Sequence, residues 1–286
     1  MILSLIVHCS CLGVNKEDSA HSVLSAEEVC SIPVVPTEEV EIQVECSEGR
    51  CLVPSGPAIL GQANIDHPDQ CPMEEIELSS FSISTHETTV AEWEACVAEG
   101  VCAPQPEWCQ FFFATNEPNH PITCVSWPQA DAFCRNKGGR LPTEAEWEVA
   151  ARGRNGQSWP WGLSAPSCNR ANHKFVTAYC EGGVLEVGTL PLGASPFGLQ
   201  DVAGNVWEWV DDWYDATYYQ FRESTDPQSP TKCASRIEDP RGECTMKVLR
   251  GGAWDTTEDT LSPFRRNFAS PELIDVNIGF RCAWDG

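Results

Sequence analysis

The chain reads as an α+β protein with little regular secondary structure, cross-linked by disulfides. Three observations predict this. Sixteen cysteines are dispersed through 286 residues, too many for free thiols in a reducing compartment, and no Cys-x-x-Cys pair points to zinc or thioredoxin-like chemistry; disulfides in oxidising surroundings are expected. Twenty-one glycines and twenty-one prolines cut the chain into short elements. Helix-start signals and strand-like alternation are interspersed without a fixed repeat, which argues against solenoids and propellers.

Composition also bounds the partners. Eighteen basic against 42 acidic residues leave a net charge of −24, which repels phosphate backbones and anionic membranes. Nucleic acid is not an expected partner. A hydrophobic content of 42% is enough for a substantial core.

Residues 1–11 open with Met1-Ile2-Leu3-Ser4-Leu5-Ile6-Val7-His8, an apolar run far short of the about 20 residues that span a bilayer. It resembles the end of a secretion signal without the basic start. Ser10-Cys11-Leu12 looks loosely like a bacterial lipoprotein cleavage site, making Cys11 a candidate lipid anchor. Residues 12–48 carry Glu27, Glu28, Glu38, Glu39, Glu41 and Glu45 with Pro33 and Pro36 but few large apolar residues, the composition of an acidic linker. The folded domain is expected over 49–286.

Within it, Cys51 to Gly61 reads as strand, Ser-Gly-Pro turn and strand, hence a hairpin. Ile76 to Ile83 alternates like one half-buried strand. Thr89-Val90-Ala91-Glu92, Ser126-Trp127-Pro128-Gln129 and Thr143-Glu144-Ala145-Glu146 are capping boxes, each opening a helix that turns Trp93, Phe133 or Trp147 toward a core. Short strands and turns follow around Trp159-Pro160-Trp161-Gly162, Val248 to Trp254 and Ile278 to Trp284. Cys46/Cys51, Cys96 with Cys102 or Cys109, Cys168/Cys180 and Cys233/Cys244 are close enough to staple loops, although spacing alone leaves the connectivity open.

The chemically densest stretch is Gly198 to Tyr214, with three Trp, four acidic residues and a Gly-Asn turn in seventeen positions. Aromatic surface favours burial and carboxylates resist it unless paired, hydrogen-bonded or metal-bound. Ca²⁺ reconciles the two by taking carboxylate and carbonyl oxygens. Asp201 and Glu208 can supply the first kind, and the turn at Gly204-Asn205-Val206 the second. The competing reading is an amphipathic strand with Trp207, Trp209 and Trp213 inward and the acids solvated.

Pro121-Ile122-Thr123-Cys124-Val125-Ser126-Trp127, Gly139-Arg140-Leu141-Pro142-Thr143-Glu144-Ala145-Glu146-Trp147-Glu148, Gly204-Asn205-Val206-Trp207-Glu208-Trp209, Arg250-Gly251-Gly252 and Gly279-Phe280-Arg281 together resemble the formylglycine-generating enzyme (sulfatase-modifying factor) family. The resemblance covers roughly Gly49 to Gly286 and implies a C-type-lectin-like α+β fold with bound calcium. It implies one calcium held by the side chains of Asp201 and Glu208 and the carbonyls of Gly204 and Val206, and a second near Asn172 and the His173 carbonyl, where the short, cysteine-bounded loop departs from the family. It also implies that Cys134 pairs with Cys282.

The resemblance fails at the reaction centre. Family members oxidise a substrate cysteine through copper held by two cysteines shortly after Arg-Gly-Gly, and Cu(I) requires soft thiolates. Here those positions correspond to Thr256 and Leu261, Ala253 replaces the usual serine, and Asp255, Glu258 and Asp259 make the loop acidic. Copper is therefore not an expected cofactor. Family relatives that are iron-dependent sulfoxide synthases use a separate helical domain, and the six histidines here show no such spacing. Glu117-Pro118-Asn119 matches the sugar-binding tripeptide of C-type lectins but lies far upstream of Trp207, and the competing reading is a turn before Pro121.

The expected function is that of an exported, calcium-stabilised, non-catalytic module, a pseudoenzyme gripping a peptide or glycan in a groove near Trp207, Trp254, Thr256 and Asn277. Periplasmic, cell-surface and extracellular sites all suit it. The alternatives are an enzyme of the same superfamily with a different oxidative or metal-dependent chemistry, and a purely structural surface protein.

Overall fold

The computed structural model describes residues 44–63, 66–111, 117–229, 233 and 243–286. The signal-like segment, Cys11 and the linker up to residue 43 lie outside the described residues. The first sheet orders β1 (Cys46–Ser47), β2 (Arg50–Val53), β5 (Phe81–Ser84) and β10 (Ala283–Asp285) as β1-β2-β5-β10, all antiparallel, so the last strand returns to the first part of the domain. β3 (Gly56–Leu60) pairs only with β4 (Glu74–Leu78) among the described strands. The third sheet, in the order β8-β7-β6-β9, joins β8 (Asn267–Ala269), β7 (Lys247–Arg250), β6 (Trp207–Trp213) and β9 (Ile278–Phe280), with β6 and β9 parallel.

Two strand expectations need correction. β2 and β3 exist but form no hairpin, because they enter different sheets. The guanidinium of Arg154 holds the carbonyls of Pro54 and Pro57 and fixes the bend between them. The alternating run from Ile76 is two strands, interrupted where Ser79 is captured by Asp226: its amide donates to Oδ1 at 2.6 Å and its hydroxyl to Oδ2 at 2.8 Å.

All three capping boxes open helices: α1 (Val90–Ala98), α2 (Trp127–Asn136) and α3 (Glu144–Arg152). A short α4 (Tyr218–Phe221) follows β6. Trp93, Phe133 and Trp147 are buried, as the helix starts predict. Trp93 stacks on Phe133 at 5.7 Å between centroids, and Phe280 from β9 meets both edge-on. This places α1 and α2 on one side of the third sheet, while Trp147 packs with Phe81, Phe197 and Val210 in a second cluster.

Six disulfides tie the described residues: Cys46–Cys51, Cys96–Cys102, Cys109–Cys124, Cys134–Cys282, Cys168–Cys180 and Cys233–Cys244. Spacing left Cys96 two partners; the nearer one takes it, and Cys109 reaches forward to Cys124. Such disulfide density belongs to proteins that mature outside the reducing cytoplasm. Among the described residues no helix is long and apolar enough to cross a membrane.

Many residues of the sequence motifs are structural. Glu144 and Glu148, one helical turn apart on α3, are buried with Arg250, Arg266 and Arg152. Burial pushes the Glu148 carboxyl up, but Arg250 and Arg152 outweigh it and hold the group below its ordinary value. Arg250 donates to both glutamates and to the Tyr219 hydroxyl at 2.7 to 2.9 Å. The ion network locks α3 onto β7 directly beneath the Gly251-Gly252 turn.

Candidate functional site: an acidic turn beside a loop without thiols

The stretch from Gly198 to β6 enters the left-handed region four times, at Gly198 (φ 86°), Asp201 (59°), Gly204 (84°) and Asn205 (62°). Two of these are not glycine, so surrounding contacts must hold them there. At Gly204 a Cβ would lie 2.2 Å from the Asn172 carbonyl oxygen, and no side chain fits. Gly204 donates to the Gly251 carbonyl at 2.8 Å, Asn205 to the Asn172 carbonyl at 2.8 Å, and Trp254 to the Asn205 carbonyl at 2.9 Å. The turn, Asn172 and the loop after β7 therefore meet.

The solvated-acid reading of the stretch does not hold. Glu208 is fully buried and Asp212 nearly so. Glu208 accepts from Trp147 Nε1 at 2.8 Å and from Arg281 Nε and Nη2 at 2.7 Å each, a two-pronged pair. Asp201 is buried and accepts from the Gly188 amide at 2.6 Å. Burial raises its carboxyl, and the Gly188 amide and Arg281 offset this only in part.

A third carboxylate, missed in the sequence, joins them. Glu87 is fully buried; its Oε1 accepts from Asn205 Nδ2 at 3.0 Å across a separation of 118 residues. Its Oε2 is buried without a hydrogen-bond partner. Burial first, then the charge of Asp201, push Glu87 well above the usual carboxylate range. The one available signal was a lone acid in Thr85-His86-Glu87-Thr88, just ahead of a helix cap, and it is weak without its partners in view.

Asn172 donates to the Gly183 carbonyl at 2.8 Å and to Asn205 Oδ1 at 3.2 Å, while its own Oδ1 is buried without a partner. Among the described residues no three His, Cys, Asp or Glu side chains converge as a metal ligand set. The expected calcium set contains only two carboxylates, the rest being carbonyls.

The four groove residues do not form one surface. Trp207 is 5% exposed and packs in the core with Trp93 and Phe133. Trp254 and Thr256 lie in the loop after β7, and Asn277, just before β9, reaches that loop with its side chain. Trp254 faces Tyr179, 5.8 Å between centroids; Asn277 Nδ2 reaches both oxygens of Asp255 at 3.0 and 3.1 Å; Thr256 Oγ1 closes a turn with the amide and carbonyl of Ala253, both at 2.9 Å.

Thr256 and Leu261 face each other across Gly252. A Cβ there would stand 2.9 Å from Leu261 Cδ2 and 3.3 Å from Thr256 Oγ1. Leu261 is fully buried with Ala171 and Ala203 against Trp159 and Trp161. A hydroxyl and an isobutyl group thus occupy the pair of positions, and neither is a soft metal ligand. Glu117-Pro118-Asn119 is an exposed turn whose Pro118 carbonyl accepts from Ala91 at the start of α1, 3.0 Å away.

The family profile described as "Sulfatase-modifying factor enzyme 1-like domain" matches residues 37–286. The formylglycine-generating enzyme of Streptomyces coelicolor is 37% identical over 182 residues, 60% of this chain and 54% of that one. The hercynine oxygenase of Mycolicibacterium thermoresistibile is 30% identical over 271 residues, 80% of this chain and 57% of that one. The chain spans about half the length of these curated relatives. Among solved structures, PvdO from Pseudomonas aeruginosa superposes with a TM-score of 0.65 at 23% identity, covering 83% of this chain and 94% of its own. CarF does so at 0.56 and 20% identity, covering 83% and 98%. These two likenesses concern the fold.

Proposed function

The chain belongs to the family of sulfatase-modifying factor enzyme 1-like domains, and on that premise we propose that it is a non-catalytic, calcium-stabilised module that binds a peptide or glycan outside the cytoplasm. The observation that carries the first half is the pair Thr256 and Leu261 facing each other across Gly252. Without thiolates there, the copper chemistry implied by the family resemblance has no ligands. Fold outlasts activity when a scaffold of buried ion pairs is kept and the reacting side chains are not.

Charge balance supports calcium. Glu87, Asp201 and Glu208 bury three carboxylates beside one guanidinium, that of Arg281. A buried excess of two negative charges is costly unless a cation or protons offset it. The left-handed backbone at Asp201, Gly204 and Asn205 suits a hard cation that takes carboxylate and carbonyl oxygens together, and the unpartnered Oδ1 of Asn172 suits the second calcium. Glu208 would contribute through the capacity its oxygens retain beyond Arg281, with the carbonyls of Gly204 and Val206 completing the set. Export, and lipidation at Cys11, belong to the same proposal; the disulfides support the compartment.

A second reading, an enzyme of the superfamily using another oxidative or metal-dependent chemistry, draws on the similarity to hercynine oxygenase. One assay separates them. Purified protein titrated with Cu(I), or supplied with iron, and offered a thiol peptide under oxygen is expected to bind copper no more tightly than a Thr256→Val variant and to show no turnover. Tight Cu(I) binding or peptide oxidation that follows Thr256 would overturn the non-catalytic reading.

A further inference from the structure

We propose that the disulfide-closed hairpin over residues 168–180, with the acidic loop 255–259 beside it, is the docking surface for a positively charged peptide segment carrying apolar side chains. This names the partner class of the binding module and rests on that reading. The hairpin presents apolar groups outward: Val176 is 88% exposed, Tyr179 47% and Phe175 38%. Such a cluster on a protein surface marks a contact site more often than an isolated apolar residue does.

The hairpin is held in this outward position. Cys168–Cys180 closes its base, Phe175 donates to the Ala178 carbonyl at 2.6 Å across the tip, and Cys180 donates to the His173 carbonyl at 2.9 Å. Lys174 pairs with Tyr179 on one side and Thr257 on the other, its amide reaching the Thr256 carbonyl at 2.9 Å. His173, fully buried and with Nε2 lacking a partner, supports the Phe175 ring at 4.6 Å. Tyr179 continues onto Trp254. A surface ordered in advance loses little entropy on binding.

Acidic side chains outnumber the two cations of the hairpin, Arg170 and Lys174. Glu181 follows the hairpin, and Asp255, Glu258 and Asp259 line the loop that the hairpin pairs with; Glu181, Glu258 and Asp259 are exposed. Lys174 is drawn over the Tyr179 ring at 5.3 Å. Apolar tip and acidic flank together complement a peptide that alternates cationic and apolar side chains, and the net charge of −24 steers such a partner in. An anionic lipid surface meets its own sign here and is repelled.

The test uses the full chain and two fluorescein-labelled decapeptides, one alternating arginine with leucine and one with glutamate in place of arginine, read by anisotropy at roughly 0.15 M salt. The arginine peptide is expected to bind and the glutamate peptide not to. Val176→Asp, and Glu258→Lys with Asp259→Lys, should each weaken binding about tenfold. Glu75→Lys, an exposed site on β4, should change it less than about twofold and so controls for diffuse charge. Equal loss in the Glu75→Lys variant, or equal binding of the glutamate peptide, overturns the proposal. Binding of a serine-for-arginine peptide or of an immobilised glycan that is lost in Trp254→Ala but indifferent to Glu258→Lys overturns the cationic partner and leaves the module reading standing. Absence of binding by every probe overturns both.

Discussion

Asp212 shows how one side chain can set a pH response. It is 3% exposed, and its oxygens accept from the amides of Glu144 at 2.7 Å and Ser229 at 2.8 Å. Burial, with the charge of Glu144 adding to it, pushes the carboxyl from its ordinary 3.8 up to about 7 against the pull of the two amides. The native state therefore keeps a proton that the unfolded chain releases near pH 4. Its stabilising share is complete below that pH and is lost as pH rises toward 7, at about 1.4 kcal/mol for each unit crossed. Chemical denaturation of wild type and Asp212→Asn across that window should show the slope in the difference between them; parallel curves would rule the effect out. At Glu208 the cost is of another kind, because Glu208→Ala strands the buried Arg281 guanidinium, and a loss of about 3–5 kcal/mol in unfolding free energy is expected. Asp201 and Glu208 were visible in the sequence because they lie close together in one motif. Glu87 was not, since only the fold brings it to Asn205, and the Arg281 partner could not be read from spacing.

At the level of elements, local chemistry carried the helices. Each of α1, α2 and α3 begins at an oxygen-bearing cap with its reciprocal Glu or Gln, a device complete within four residues. Thr143 Oγ1 accepts from the Glu146 amide at 3.1 Å while Glu146 Oε2 accepts from the Thr143 amide at 2.8 Å. Thr143→Ala should cost about 1 kcal/mol, measurable as a lowered denaturation midpoint without a change in slope. Strand pairing was less legible, because it depends on distant partners. The bend held by Arg154 sends β2 and β3 apart, and Asp226 interrupts the run after Leu78; both contacts come from residues far along the chain. The same reason explains the Cys109–Cys124 bridge, whose partners stand 15 residues apart.

On the scale of the whole molecule, the motifs that identify the family are mostly joints. Glu144, Glu148, Arg250 and Arg281 are buried ion-pair members that hold the scaffold together. Cys134–Cys282 closes 148 residues, and in the chain-entropy model opening so long a loop costs about 5 kcal/mol. The Cys134→Ala, Cys282→Ala double variant should melt well below wild type, and an unchanged melting temperature would show that the bridge contributes nothing. The central claim is that a divalent cation joins the acidic turn to the rest of this shell. Its most direct measurement is the melting temperature of the full protein in EGTA and in calcium, for wild type and for Asp201→Ala, which leaves the Glu208–Arg281 pair intact. Calcium should raise the wild-type temperature reversibly and leave Asp201→Ala unmoved; a wild type that melts identically in both would contradict the account.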